Sequence, residues 1–154
     1  TPTTFKTAVA STTPYGAYEE TFTLPHVVAS AGATFVARWT AYHVKQLAKT
    51  MGEALAKKGF RFIEIIAPCP TLYLRRNRLG EGLEEMKYYQ EKSVIKNGAD
   101  TKDVGLDYRE EIPVGKFVDL ERPTLEEAME KRMSEALGAK YVKYQQPGKM
   151  SPRS

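Results

Sequence analysis

Residues 60–67, FRFIEIIA, constrain this chain more than any other stretch. The run is nearly continuously apolar and rich in β-branched residues. Its length suits a strand, and its lack of polar alternation suits burial on both faces, as in a parallel sheet. Gly59 precedes it, and Pro68-Cys69-Pro70 stops it, because two prolines cannot serve a central ladder. The charge inside the run, Glu64, needs a partner if its side chain is buried.

Upstream, Val44, Leu47, Ala48, Met51, Ala54 and Leu55 recur at helical spacing. Lys45, Gln46, Lys49, Glu53 and Lys57 fall on the opposite face, with Glu53 and Lys57 spaced as a favourable i,i+4 pair. Gly59 is the expected stop of this helix. Before it, residues 34–38, TFVAR, read as a strand. Strand, helix, strand in that order implies a right-handed βαβ crossover. The expected fold class is therefore α/β, a partial parallel sheet with flanking helices. Ligands of open α/β sheets bind beyond the carboxyl ends of strands, and Pro68-Cys69-Pro70-Thr71 falls at such an end.

The remaining chain is read more coarsely. Residues 1–22, with four threonines in the first seven positions and Pro14-Tyr15-Gly16, have loop composition. Thr23-Leu24-Pro25 opens a short helix that Gly32 ends. A helix through Leu83, Met86 and Tyr89 follows Gly80 and Gly82. Residues 97–113 read as loop, and 114–119 as a short strand. Thr124 and Glu127 form a capping box for a helix reaching Gly138. The expected organisation is a loop at 1–22, an α/β body at 23–138 and a basic flexible tail at 139–154. Two strong strands and one weak one do not complete a doubly wound sheet. The missing neighbours are expected from elsewhere in a longer chain or from another subunit.

Composition narrows the function classes. No apolar run approaches the ~20 residues of a membrane helix, and no signal-peptide pattern opens the chain, so a cytoplasmic protein is expected. The one cysteine, Cys69, has no partner for an internal disulfide. As a lone thiol it fits a reducing compartment, and on counting alone it reads as a small buried hydrophobe. The formal net charge of +4 is concentrated in Arg75, Arg76 and Arg78 and in the final stretch, AKYVKYQQPGKMSPRS. Those arginines read either as a solvated surface or as an anion contact. His26 and His43 are expected as surface residues at helix starts, and Trp39 and Tyr42 as packing residues.

Three stretches carry a resemblance: TPTTFKTAVASTTPYG at the start, ASAGATFVARWTAYHVKQLAKTMGEALAKKGFRFIEIIAPCPT in the middle, and GKFVDLERP near the end. Together, over roughly residues 1 to 137, they resemble the β subunit of 2-oxoacid:ferredoxin oxidoreductases, most like the 2-oxoglutarate type. The chain looks like the C-terminal half of this thiamine-diphosphate-binding subunit. The resemblance implies oxidative decarboxylation of a 2-oxoacid, with coenzyme A taking the acyl group and ferredoxin the electrons. It implies thiamine diphosphate, Mg2+ and a [4Fe–4S] cluster in the complete enzyme. The implied partners are the rest of the β subunit or an upstream fragment, an α subunit and ferredoxin.

The resemblance also assigns residues. Cys69 matches the position of a cluster ligand in a Pro-Cys-Pro-like turn. Thr3 and Thr4 follow the family's cofactor loop, so residues 1–22 are expected beside the cofactor. Arg75, Arg76 and Arg78 become candidates for contact with ferredoxin or with the phosphates of coenzyme A. The family's Gly-Asp-Gly run, its downstream Asn and its Cys-x-x-Cys pair do not occur here. No cofactor is therefore expected to bind this chain alone, and the isolated chain is expected to be inactive. The competing reading is a basic α/β binding module for an acidic protein or nucleic acid. It lacks an aromatic-interleaved basic strand or a helix-turn-helix pattern, and it leaves the proline-flanked cysteine unexplained.

Overall fold

In the computed structural model, the described residues are 6–69, 71, 73–78, 80–107 and 110–143. The chain divides into two compact units, Thr1–Arg122 and Pro123–Ser154.

The first unit is built on four strands in the order β2-β1-β4-β3: β1 Phe35–Thr40, β2 Arg61–Ile66, β3 Ser93–Ile95 and β4 Ile112–Asp119. The expected βαβ unit is present. β1 and β2 are parallel with unbroken register from Phe35 opposite Arg61 to Thr40 opposite Ile66. Between them runs α2, Val44–Ala56. The wider sheet is mixed, because β4 runs antiparallel to β1 and parallel to β3. β4 carries one extra residue, Phe117, where the register to β1 shifts between Val36 and Ala37. Two residues before it, Gly115 makes room for Asn97. Its φ is +131°, and a Cβ there would lie 2.6 Å from Asn97 Oδ1, which accepts the Lys116 backbone N–H.

β1 is buried throughout. Trp39 packs with Tyr89, Leu106, Ile112 and Val114, while Val36 packs with Ala33, Val104 and Phe117. Two flanking helices follow the sequence closely: α1, Leu24–Ser30, and α4, Gly82–Lys92. Glu81 and Glu84 form the capping box of α4. At the turn from α2 to β2, Gly59 adopts φ +88°, and the Thr34 side chain fills the space a Cβ would need. The Thr34 hydroxyl lies within hydrogen-bond reach of the carbonyls of Lys58 and Phe60.

β2 departs from expectation. It is half-buried to exposed, and Ile65 reaches solvent. Among the described residues β1 is its one strand neighbour, so the strand that reads as a sheet interior stands at an edge. A second departure concerns charge. Glu53 pairs with Lys116 at 2.9 Å, and Lys57 pairs with Asp119 and Glu121. The anticipated Glu53–Lys57 spacing is thus used to tie α2 to the end of β4 and the residues after it.

The second unit holds α5, Leu125–Leu137, with the anticipated capping box. The Thr124 N–H donates to Glu127 Oε2 at 2.9 Å, and the Glu127 N–H to Thr124 Oγ1 at 3.2 Å. Its apolar residues Leu125, Met129, Met133 and Leu137 are all exposed.

Candidate functional site

The carboxyl end of β2 leads into residues 67–78, where sequence reasoning placed its candidates. Cys69 is an exposed, free thiol, which removes the buried-hydrophobe reading. Its carbonyl accepts the Leu74 N–H at 3.4 Å. Leu74 is buried and anchors the short helix α3, Tyr73–Arg76. Arg75 and Arg76 sit on this helix and Arg78 just beyond it, all three exposed. Arg78 holds φ +56°, a conformation uncommon for a residue with a Cβ. Thr3 and Thr4 lie outside the described residues.

One residue that sequence reasoning passed over organises this region. Asn77, set among the three arginines, clamps the backbone of a residue 68 positions away. The Val9 N–H donates to Asn77 Oδ1 at 2.6 Å, and Asn77 Nδ2 donates to the Val9 carbonyl at 2.7 Å. Nδ2 also donates to the Tyr73 carbonyl at 2.9 Å. The amide imitates a strand neighbour by offering one donor and one acceptor to the same peptide segment. It thereby holds the threonine-rich opening against the segment that follows Cys69.

That opening has its own internal fixings. Thr7 donates its N–H to the Ala17 carbonyl at 2.7 Å, and Ala17 returns a bond to Ala8 at 2.9 Å. Thr7 takes φ +68° and Gly16 φ +95°. A Cβ on Gly16 would meet the Thr7 carbonyl oxygen at 3.4 Å. Ala8 and Ala17 are buried beneath the loop, while Tyr15 and Tyr18 stand out from it. A cavity of about 330 Å³ lies between Thr12, Thr13, Tyr15 and Tyr18.

Within the sheet, the charge inside β2 finds its partner. Glu64 lies directly opposite Arg38 in the β1–β2 register. Arg38 Nε donates to Glu64 Oε2 at 2.6 Å. Arg38 Nη1 donates to the carbonyl of Val104 at 2.7 Å and, more weakly, of Pro113 at 3.3 Å. Arg38 is wholly buried. Burial pulls its pKa below the ordinary guanidinium value, against the opposing pull of Glu64.

His43 corrects the surface reading. It is buried, its Nδ1 lies 2.9 Å from the Thr40 hydroxyl, and burial lowers its pKa. Turning the ring inward at the start of α2 seats it between Trp39 and Tyr42. His26 is half-buried, with Nδ1 3.0 Å from Thr101 Oγ1. Trp39 packs as expected, and its indole N–H donates to Thr50 at 2.9 Å.

Among the described residues, no three His, Cys, Asp or Glu side chains converge into a metal-ligand group. Cys69 offers a single thiol, and the sequence holds no second one. No helix among the described residues is long and apolar enough to cross a membrane.

No family model matches the chain. It is 40% identical over 124 residues to the 2-oxoglutarate synthase subunit KorB of Methanothermobacter marburgensis, covering 80% of this chain and 43% of that protein. It is 40% identical over 131 residues to the KorB subunit of Methanocaldococcus jannaschii, covering 84% of this chain and 48% of the relative. A solved structure with the same fold is the 2-oxoglutarate:ferredoxin oxidoreductase of Magnetococcus marinus, with 2-oxoglutarate, coenzyme A and succinyl-CoA bound. It is 24% identical with a TM-score of 0.66, over 94% of this chain and 48% of that one. The chain thus spans just under half the length of the curated relatives it matches.

Proposed function

This chain belongs to the β-subunit family of 2-oxoacid:ferredoxin oxidoreductases, and on that premise we propose that it forms the carboxyl-terminal part of such a subunit. The reaction served is oxidative decarboxylation of a 2-oxoacid, 2-oxoglutarate favoured over pyruvate, to the acyl-coenzyme A and carbon dioxide. Ferredoxin takes the electrons. In the assembled enzyme, bound thiamine diphosphate supplies the carbanion chemistry and a [4Fe–4S] cluster the one-electron transfers. The rest of the β subunit and an α subunit complete the machinery, and Mg2+ belongs with the diphosphate.

The observation that carries this reading is the assembly at the end of β2. An exposed thiol follows a parallel strand, and Asn77 fastens the threonine-rich opening to the same segment. In this reading Cys69 is one cluster ligand, presented in the Pro68-Cys69-Pro70 stretch that follows β2. The opening, with Thr3 and Thr4, lies along the cofactor. Arg75, Arg76 and Arg78 face acidic ferredoxin or the phosphates of coenzyme A, where a surface of one sign speeds encounter. The protein works in the cytoplasm.

The test is Cys69→Ala in the full heteromer, read by iron content and low-temperature EPR. The expected outcome is loss or conversion of the four-iron signal and a large fall in ferredoxin reduction, with a smaller fall in 2-oxoacid cleavage. A normal signal with normal ferredoxin reduction would make the thiol a bystander.

A further inference from the structure

Asn97 and Gly98 form the turn that follows β3, and both are exposed. Gly98 holds φ +73°. The chain has two asparagines. Asn77 is followed by Arg78, but Asn97 is followed by glycine. A side-chain carboxamide is most open to attack by its own backbone at an asparagine–glycine pair. The nitrogen of the next residue reaches the carboxamide carbon and closes a cyclic imide, and glycine has no Cβ to obstruct the approach.

Here one residue engages both reacting groups. The Lys116 N–H donates to Asn97 Oδ1 at 2.9 Å, and the Gly98 N–H donates to the Lys116 carbonyl at 2.8 Å. Attack requires the Gly98 nitrogen to give up that hydrogen and the Asn97 carboxamide to swing toward it. Both bonds to Lys116 must therefore break first. Gly115 lets the clamp close, since a Cβ there would lie 2.6 Å from Asn97 Oδ1. Lys116 is itself held in place, its ammonium paired with Glu53 at 2.9 Å and Asp119 at 3.3 Å.

We propose that Asn97–Gly98 is a self-modification site, converted without an enzyme to aspartate and isoaspartate and gated by release from Lys116. The Gly98 nitrogen passes its proton to water and bonds to Asn97 Cγ. The Cγ–Nδ2 bond breaks, and Nδ2 takes a proton from water and leaves as ammonia. Water then opens one of the two imide carbonyls. Opening at the main-chain carbonyl gives isoaspartate, and opening at Cγ gives aspartate. Nothing is oxidised or reduced. Aspartate keeps an acceptor for the Lys116 N–H, so the clamp can close again. Isoaspartate adds a carbon atom to the main chain, and Asn97 and Gly98 no longer match the two groups of Lys116. The same turn leads through Thr101–Asp103 to Val104, whose carbonyl accepts Arg38 Nη1 at 2.7 Å. Isoaspartate thus loosens the segment that satisfies the buried guanidinium. Chains are marked according to the time their β3–β4 end has spent open.

The experiment incubates the purified full chain and a peptide of residues 92–103 at mildly alkaline pH. Both are read by mass spectrometry for deamidation and for isoaspartate. The expected result is both products at Asn97 in the peptide, and the same products in the folded chain at least about tenfold more slowly. Asn77 should stay unmodified. Below the unfolding transition, graded urea should raise the Asn97 rate in proportion to amide exchange at Gly98. Gly115→Ala should raise it severalfold without urea. If that variant does not fold, the urea series on the unchanged chain decides by itself. Equal rates in chain and peptide, a rate that does not follow Gly98 exchange, or a folded Gly115→Ala chain at the unchanged rate would overturn the gate. An Asn97 that stays intact while the Gly98 amide exchanges freely would overturn the site.

Discussion

Arg38 and Glu64 show how one pair can fix a register. A parallel slip of one residue would move Glu64 to the other face of β2 and leave a wholly buried guanidinium without its carboxylate. Buried pairs offset desolvation poorly, yet removing one partner is costly. Glu64→Ala should therefore destabilise the chain by about 3–5 kcal/mol, measured by urea unfolding. The double replacement Arg38→Met with Glu64→Leu should recover most of that loss, because no unpaired charge remains. Glu85 is the contrasting case. It is buried, Tyr89 donates to its Oε1 at 2.9 Å, and its Oε2 has no hydrogen-bond partner among the described residues. Burial raises its pKa above the ordinary 4.5. A carboxyl with a raised folded pKa costs nothing below the unfolded value and increasingly more as pH rises past it. Glu85→Gln should thus gain on the order of 1 kcal/mol at pH 7, with the gain fading toward pH 4.5. A gain that persists undiminished below that pH would assign it to packing.

At the scale of elements, the fixed points are clamps between segments far apart in sequence. Asn77→Ala removes two bonds to Val9 and one to Tyr73. The expected cost is about 1–2 kcal/mol in global stability, with markedly faster amide exchange at Val9 and little change in β1. Equal acceleration in β1 would show that the loop and the sheet unfold together. These elements differ in how far the sequence declared them. The run at 60–67, the period of α2 and the Thr124–Glu127 capping box depend on neighbouring residues, so local pattern sufficed. Asn77 escaped notice because its partner is the backbone of Val9, and no side-chain pattern records a backbone partner. β3 escaped because three residues carry no periodicity. His43 was misplaced because the ring's inward turn is set by Thr40, which the start of the helix does not reveal. Glu64 was legible as an anomaly, and the register then named Arg38 as its partner.

For the whole molecule, the sequence and the structure agree on a sheet that stops short. The run at 60–67 has the composition of an interior strand and the position of an edge strand. The candidate site was legible as a place, the end of β2 with Cys69, because a proline-flanked thiol after an apolar run is a local signal. Its dependence on the opening loop was not legible, since that contact spans 68 residues. The central claim is that this chain is part of a 2-oxoacid:ferredoxin oxidoreductase and acts only when the rest of the enzyme is present. It is tested most directly by 2-oxoglutarate- and coenzyme A-dependent reduction of a viologen dye, measured for the purified chain and for the heteromer assembled with the remaining β-subunit half and the α subunit. The account predicts no reduction by the chain alone and substrate-dependent reduction by the assembly, faster with 2-oxoglutarate than with pyruvate. Reduction by the chain alone, or an assembled heteromer that turns over no 2-oxoacid, would contradict it.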